Sequence, residues 1–381
     1  MRSDQPDRPA WLQNHRLQAW FLGIIAFGIV LFLLVEARFL LISLAIAIIL
    51  FSLTSDAINY IGRLRIAGIG IPNWLASMLA VALIASGLLT LSGVLLSQVN
   101  TILITTLSYT EQAQFAIADL FRWMGEDVSQ AVLGAVRDIN VGSYLRSAAG
   151  QAGNVMSATV LVILFVGFLF AERVWFPAKL TSLFPDPGRA DQVRRTIGTI
   201  MRRVNRYLLV KTAVSIATGL MVYGVMRAFG LDLALPMAIA TFVLNYIPNI
   251  GSIIATGLVT LVTYVQFADP TPTLIVFVVT GVIQFVNGSI IDPTLMGRAL
   301  RLSSFGIIIS LAFWSVVWGI PGMFLSVPIM VAIMIVCSQH PALHPLAILL
   351  SREGIPSTLS EDETLDDMQP SRDDERKMRQ G

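Results

Sequence analysis

The chain has 381 residues, 55% hydrophobic and only 13% charged, with a formal net charge of +2. Soluble domains carry about 25% charged residues, so this much apolar surface cannot be hidden in one aqueous core and has to face lipid. The near-zero charge balance excludes a broad basic field for nucleic acid, and the single cysteine, Cys337, excludes an internal disulfide; lying in an apolar run, it reads as packing.

The sequence predicts an all-α integral membrane protein, a polytopic helical bundle of about six full spans plus two broken or re-entrant helical hairpins. Residues 1–18, with Arg2, Arg8 and Arg16, form a cytoplasmic N-terminus. The apolar run 19–35 lacks a small-residue cleavage pattern after it and reads as a retained signal-anchor helix. With the runs 39–53 and 74–99 it makes three transmembrane helices within residues 19–99. Residues 100–154 mix polar and apolar types at helical spacing: Phe115, Leu120, Trp123 and Met124, then Val132, Val136 and Ile139. That pattern predicts an amphipathic extracytoplasmic segment, a cap or an oligomer contact. Residues 155–171 form the fourth span.

Residues 172–206 crowd Arg173, Lys179, Arg189, Arg194, Arg195, Arg202, Arg203 and Arg206 around a turn at Pro185-Asp186-Pro187-Gly188. Short basic loops stay in the cytoplasm, and four preceding spans return the chain there. The segment reads mainly as a topology determinant, with anionic lipid headgroups as the alternative partner. The next span, 207–229, is broken only by Lys211, which is expected to snorkel toward the cytoplasmic interface. Residues 207–338 form a transport region with two broken helices. Residues 339–381 are expected to be an acidic cytoplasmic tail without order.

The breaks lie near the middles of two long apolar stretches. The first, 233–267, is centred on Asn245-Tyr246-Ile247-Pro248-Asn249-Ile250-Gly251; the second, 303–336, on Trp318-Gly319-Ile320-Pro321-Gly322. Proline removes a backbone donor and glycine permits the dihedrals of a reversal. Each half is short for a span, so the preferred reading is a hairpin with its turn at membrane depth. Its freed peptide groups must then be buried in protein or line a wet cavity. A span at 273–291 lies between the hairpins and leaves Arg298 and Arg301 in the cytoplasm, so one hairpin enters from each face. Opposed tips near the midplane would build a transport site. Two alternatives stay open: four complete spans, or two long kinked helices.

The residues placed on the solute pathway are Asn245, Pro248, Asn249, Gly251, Gln284, Asn287, Gly319, Pro321 and Gly322. Gln284, Asn287 and Ile291 fall on one helical face. Amide side chains both donate and accept, which suits a polyhydroxylated solute or a cation cage; they can equally cap the broken backbone. Asp292 is a candidate coupling site for a proton or sodium, although the preferred reading is a span-end residue paired with Arg298. No metal-ligand cluster, phosphate-binding loop or nucleophile motif is present, so no enzyme, metal or cofactor is expected.

The stretch Asn245 to Gly251 resembles the Pro-Asn-Ile-Gly signature of the autoinducer-2 exporter family. Asp292-Pro293-Thr294-Leu295-Met296-Gly297, Trp318-Gly319-Ile320-Pro321-Gly322 and Val327-Pro328 follow in the family's order. The likeness in hydrophobic layout covers residues 19–339. Where relatives often show a His-Pro-like pair, this chain has Ser303-Ser304-Phe305, so no histidine role carries over. The resemblance implies a multi-pass transporter of the bacterial inner membrane, both termini cytoplasmic, assembled as a homo-oligomer among membrane lipids. Members are linked to autoinducer-2 export and to sodium–proton antiport. The expected function is export of a small polar solute; the alternatives are monovalent cation–proton antiport and a membrane scaffold without transport.

Overall fold

The computed structural model describes residues 10–63, 73–108, 125–137, 141–296, 302–352 and 354. In chain order they form α1 (Ala10–Glu36), α2 (Arg38–Arg63), α3 (Asn73–Ser108), α4 (Glu126–Arg137), α5 (Val141–Glu172), α6 (Phe176–Leu183) and α7 (Pro187–Ala228). Then come α8 (Ala234–Leu244), α9 (Ile250–Phe267), α10 (Pro270–Val286), a π-helical turn (Asn287–Ile291), α11 (Asp292–Met296), α12 (Ser304–Ser338) and α13 (His344–Leu350). Eight of the helical stretches described are long and apolar enough to cross a membrane. The protein is a polytopic all-α membrane protein.

Helices α2, α3 and α5 pack around Ala47, Ala80, Ile84, Val162, Val166 and Phe170. Their outer faces leave Leu79, Leu83, Val160 and Phe168 more than half exposed, as side chains that meet lipid do. Helix α1 is the extreme case, with no residue of 18–36 buried. It is held near its C-terminal end, where Trp318 Nε1 donates to the Leu34 carbonyl at 3.0 Å.

Helix α7 starts at the expected turn. Asp186 caps it by accepting from the Gly188 amide at 3.0 Å, and Pro187 occupies the first turn, where its missing N–H costs nothing. From there it continues for 42 residues, about 63 Å at 1.5 Å per residue. The second half of the basic segment 172–206 and the following span are therefore one rod, with no break in the helix at residue 206.

Both broken stretches fold back. In the first, the Gln266 side chain accepts from the Asp232 amide at 3.0 Å and donates to the Gly230 carbonyl at 3.2 Å, so the segment ends where it began. Its first arm, α8, has 11 residues, about 16 Å, short of a hydrocarbon core of about 30 Å. In the second, Gly319 takes φ 65° and ψ −142°, and Ser310 Oγ donates to the Ser326 carbonyl at 2.8 Å. Residues 16 apart in a straight helix lie about 24 Å apart, so α12 comprises two arms that reverse at Gly319. A single long kinked helix is thus not what forms in either stretch. Each apex depends on a glycine. A Cβ on Gly251 would sit 1.8 Å from the Leu244 carbonyl oxygen, and one on Gly322 would sit 2.0 Å from that of Trp314.

The two apices touch where Tyr246 of the first stacks on Phe324, two residues past Gly322 of the second, and each has further neighbours of its own. The second packs its Trp314 and Trp318 against Leu34, Leu41, Ile42 and Ala45, around the α1–α2 junction. The first lies beside Ile307 and Val327, partway along the arms of α12.

The expected disorder from residue 339 onward is also corrected. Residues 344–350 form α13, which buries Ala347 and Leu350, and the Leu350 carbonyl accepts from the Ser303 amide at 2.8 Å. These residues are apolar, unlike the acidic sequence after them, and close the base of the second hairpin. Residues 353 and 355–381 lie outside the described residues, as do Phe115, Leu120, Trp123, Met124, Ile139, Gly297, Arg298 and Arg301. Within the predicted segment 100–154, α3 and α5 run in from either side, and α4 carries Val132 and Val136.

Candidate functional site

One face of α7 is polar through the membrane body. Tyr207, Lys211, Ser215 and Thr218 recur at spacings of three and four, which stack on one side of a helix, and all four are buried. The first hairpin and the π-helical turn meet this stripe. Asn245 Nδ2 donates to Ser215 Oγ at 3.0 Å. Asn287 Nδ2 donates to Thr218 Oγ1 at 2.8 Å and to Asn245 Oδ1 at 3.4 Å. Thr212 Oγ1 and the Tyr246 hydroxyl are 2.7 Å apart, and the Tyr246 ring stacks on Phe324 of the second hairpin. These bonds tie the first apex to α7 and to α12.

Below the amides lies an ion pair. Lys211 Nζ donates to Asp292 Oδ2 at 2.6 Å, with the lysine side chain 5% exposed and the aspartate 18%. Lys211 therefore does not snorkel to an interface; a carboxylate 81 residues further along the chain supplies its counter-charge inside the bundle. Asp292 pairs with Lys211; the partner expected for it, Arg298, lies outside the described residues.

The π-helical turn sets the position of that aspartate. Four residues of α-helix overshoot one revolution by about 40°. A π turn takes more residues per revolution and removes this drift, so Gln284, Gly288 and Asp292 line one wall. The face predicted from uniform helical spacing, Gln284 with Asn287 and Ile291, is not the one that forms. Asn287, 2% exposed, faces the α7 stripe instead.

That wall borders a cavity of about 120 Å³. Helix α7 contributes Tyr207 and Lys211, the first apex contributes Asn245, Pro248, Asn249 and Ser252, and α12 contributes Ile307 and Val327. Two oxygens on lining residues, Gln284 Oε1 and Asp292 Oδ1, are buried without a hydrogen-bond partner. Asn249 holds the left-handed region, at φ 60°, a strained backbone for a non-glycine residue.

Of the residues read from the sequence, Asn245, Pro248, Asn249, Gln284 and Asp292 meet at this cavity. Asn287 sits behind its wall, and Gly251 allows the close approach that forms the apex. Gly319, Pro321 and Gly322 form the other apex and are not in the cavity wall. Sequence reading missed Tyr207, Ser215 and Thr218 and misplaced Lys211. The signal was a polar residue every three or four positions within an apolar span.

A multi-pass helical bundle with paired helical reversals and a charged pair beside an internal cavity has the construction of a membrane transporter. The chain belongs to the AI-2E transporter family, whose model matches residues 21–342. The AI-2 transport protein TqsA of Escherichia coli K12 is 29% identical over 337 residues, covering 86% of this chain and 95% of that protein. A Borreliella burgdorferi protein, named for transport without a substrate, is 30% identical over 66% of this chain and 69% of its own length. A Haemophilus influenzae protein named in the same way is 35% identical over 51% of this chain and 56% of its own length.

Proposed function

We propose that this chain exports a small, neutral, hydroxyl-rich solute of the autoinducer-2 kind across the bacterial inner membrane, with both termini in the cytoplasm. The solute binds in the cavity beside the first apex. One observation carries the reading: Gln284 Oε1 and Asp292 Oδ1 are acceptors without donors, beside an ion pair that already balances its own charge. A buried acceptor left unsatisfied costs about 1–3 kcal/mol, and solute hydroxyls remove that cost. A metal cation is less well served, because the Lys211 ammonium already holds the other oxygen of the same carboxylate. The similarity to TqsA, over nearly its whole length, agrees with this substrate class.

The test is the distribution of autoinducer-2 in a bacterial strain that makes the signal and lacks its own exporter. Expression of the chain should lower the internal signal and raise the external one. Gln284→Leu should abolish that effect at equal membrane abundance, and undiminished efflux from this variant would sink the assignment of the cavity. Sodium-dependent proton movement in everted vesicles, if found, would favour the antiport reading instead.

A further inference from the structure

We propose that Asp292 Oδ1 is the point at which a proton and the solute exchange, with Lys211 as the fixed counter-charge. The inference rests on the transport reading above and names its energy source. The two carboxylate oxygens are used differently. Oδ2 is committed to Lys211 Nζ at 2.6 Å, whereas Oδ1 is buried with no partner, on a residue that lines the cavity. An isolated carboxylate among membrane helices is costly; Lys211, itself almost wholly buried, removes most of that cost while leaving Oδ1 free to react.

Protonation removes the charge from Oδ1 and turns it from an acceptor into a donor, so its hold on a solute hydroxyl that donates to it weakens. Competition between proton and solute at one atom favours exchange over cotransport. Facing outward, a proton from the external water bonds to Oδ1 as the hydrogen bond from the solute hydroxyl breaks, and the solute leaves. Facing inward, that O–H bond breaks, the proton passes to cytoplasmic water, and Oδ1 accepts the next solute. One proton enters per solute exported, and no other bond changes.

Among the described residues, few other ionisable side chains face this carboxylate besides Lys211. From α7 the other ionisable neighbour is Tyr207, and from the first hairpin it is Tyr246, whose hydroxyl bonds Thr212. The α10 and α12 positions in the wall are Gln284, Ile307 and Val327, none of which ionises at physiological pH. Arg206 lies on the exposed side of α7.

The experiment uses the full chain in proteoliposomes, with autoinducer-2 on both sides, a pH difference of one unit, and equal potassium with valinomycin to hold the membrane potential at zero, since each exchange moves one net charge. Exchange of one proton per solute sustains a solute ratio of about ten, higher on the acidic side, whichever way the protein is inserted. Asp292→Asn keeps the shape but cannot carry the proton, so its ratio should stay at one. The double variant K211M/D292N, which leaves no charge unpaired, serves the same purpose should the single variant fold poorly. A wild-type ratio of one, reached by measurable flux, overturns the coupling and leaves the transport reading standing. Absence of any wild-type flux overturns both. A ratio of ten in either variant removes the role of Asp292.

Discussion

Helices α2, α3 and α5 meet through small and aliphatic side chains, with Phe51 set edge-on to Phe170. One buried hydroxyl pair joins them, Ser92 with Thr159 at 2.8 Å. Helices α7 to α11 meet through Lys211, Ser215, Thr218, Asn245, Gln284, Asn287 and Asp292. Lipid is as apolar as leucine, so helix association there is driven by close packing, and the first group shows that few polar contacts suffice. The polar content of the second group exceeds what cohesion needs, and it gathers around one cavity. Polar burial in a membrane is costly and commonly marks a functional site, so the contrast is the one expected if the second group is the working part proposed above.

The contrast can be broken or sharpened by substitution. The largest effect is expected at the ion pair. Lys211→Met leaves a buried carboxylate alone and should cost about 3–5 kcal/mol, read as a loss of folded protein in a detergent melt. The K211M/D292N double variant should recover most of it. Next come the apices. Gly251→Ala and Gly322→Ala place a methyl inside van der Waals contact of a backbone carbonyl, so the melt should fall and efflux should be lost. Gly87→Ala and Gly93→Ala in α3 meet nothing within 4 Å and should instead stabilise by up to about 1 kcal/mol through helix propensity. Asn287→Leu, which removes the donor to Thr218, should cost about 1–3 kcal/mol and reduce flux, whereas Ser92→Ala should cost only about 1 kcal/mol with flux unchanged. Phe168→Leu on the lipid-facing surface should stay within about 0.5 kcal/mol. Equal sensitivity of both helix groups would end the distinction between them.

The sequence made the membrane class and the two reversals legible, because both rest on local chemistry. Long apolar runs must face lipid, and Pro248, Gly251, Gly319 and Pro321 disfavour an unbroken helix. Where the reversals lead was not legible. The second apex is placed by Trp318 reaching Leu34, a contact 284 residues apart in the chain. The partner of Lys211 was hidden for the same reason, and the nearest basic residue after Asp292 was chosen in its place. The π-helical turn defeated the face prediction because uniform spacing cannot anticipate a local change of pitch. Helix α13 was lost to averaging, since an acidic composition over residues 339–381 masked seven apolar-rich positions at its start.

The second hairpin is fastened at both ends. Its apex is bonded to α1 through Trp318, and its base is bonded to α13 through Ser303 and Leu350. A beam clamped at each end can bow but cannot swing. Both ties act on the arms that bring Ile307 and Val327 to the cavity, so loosening either one loosens that wall.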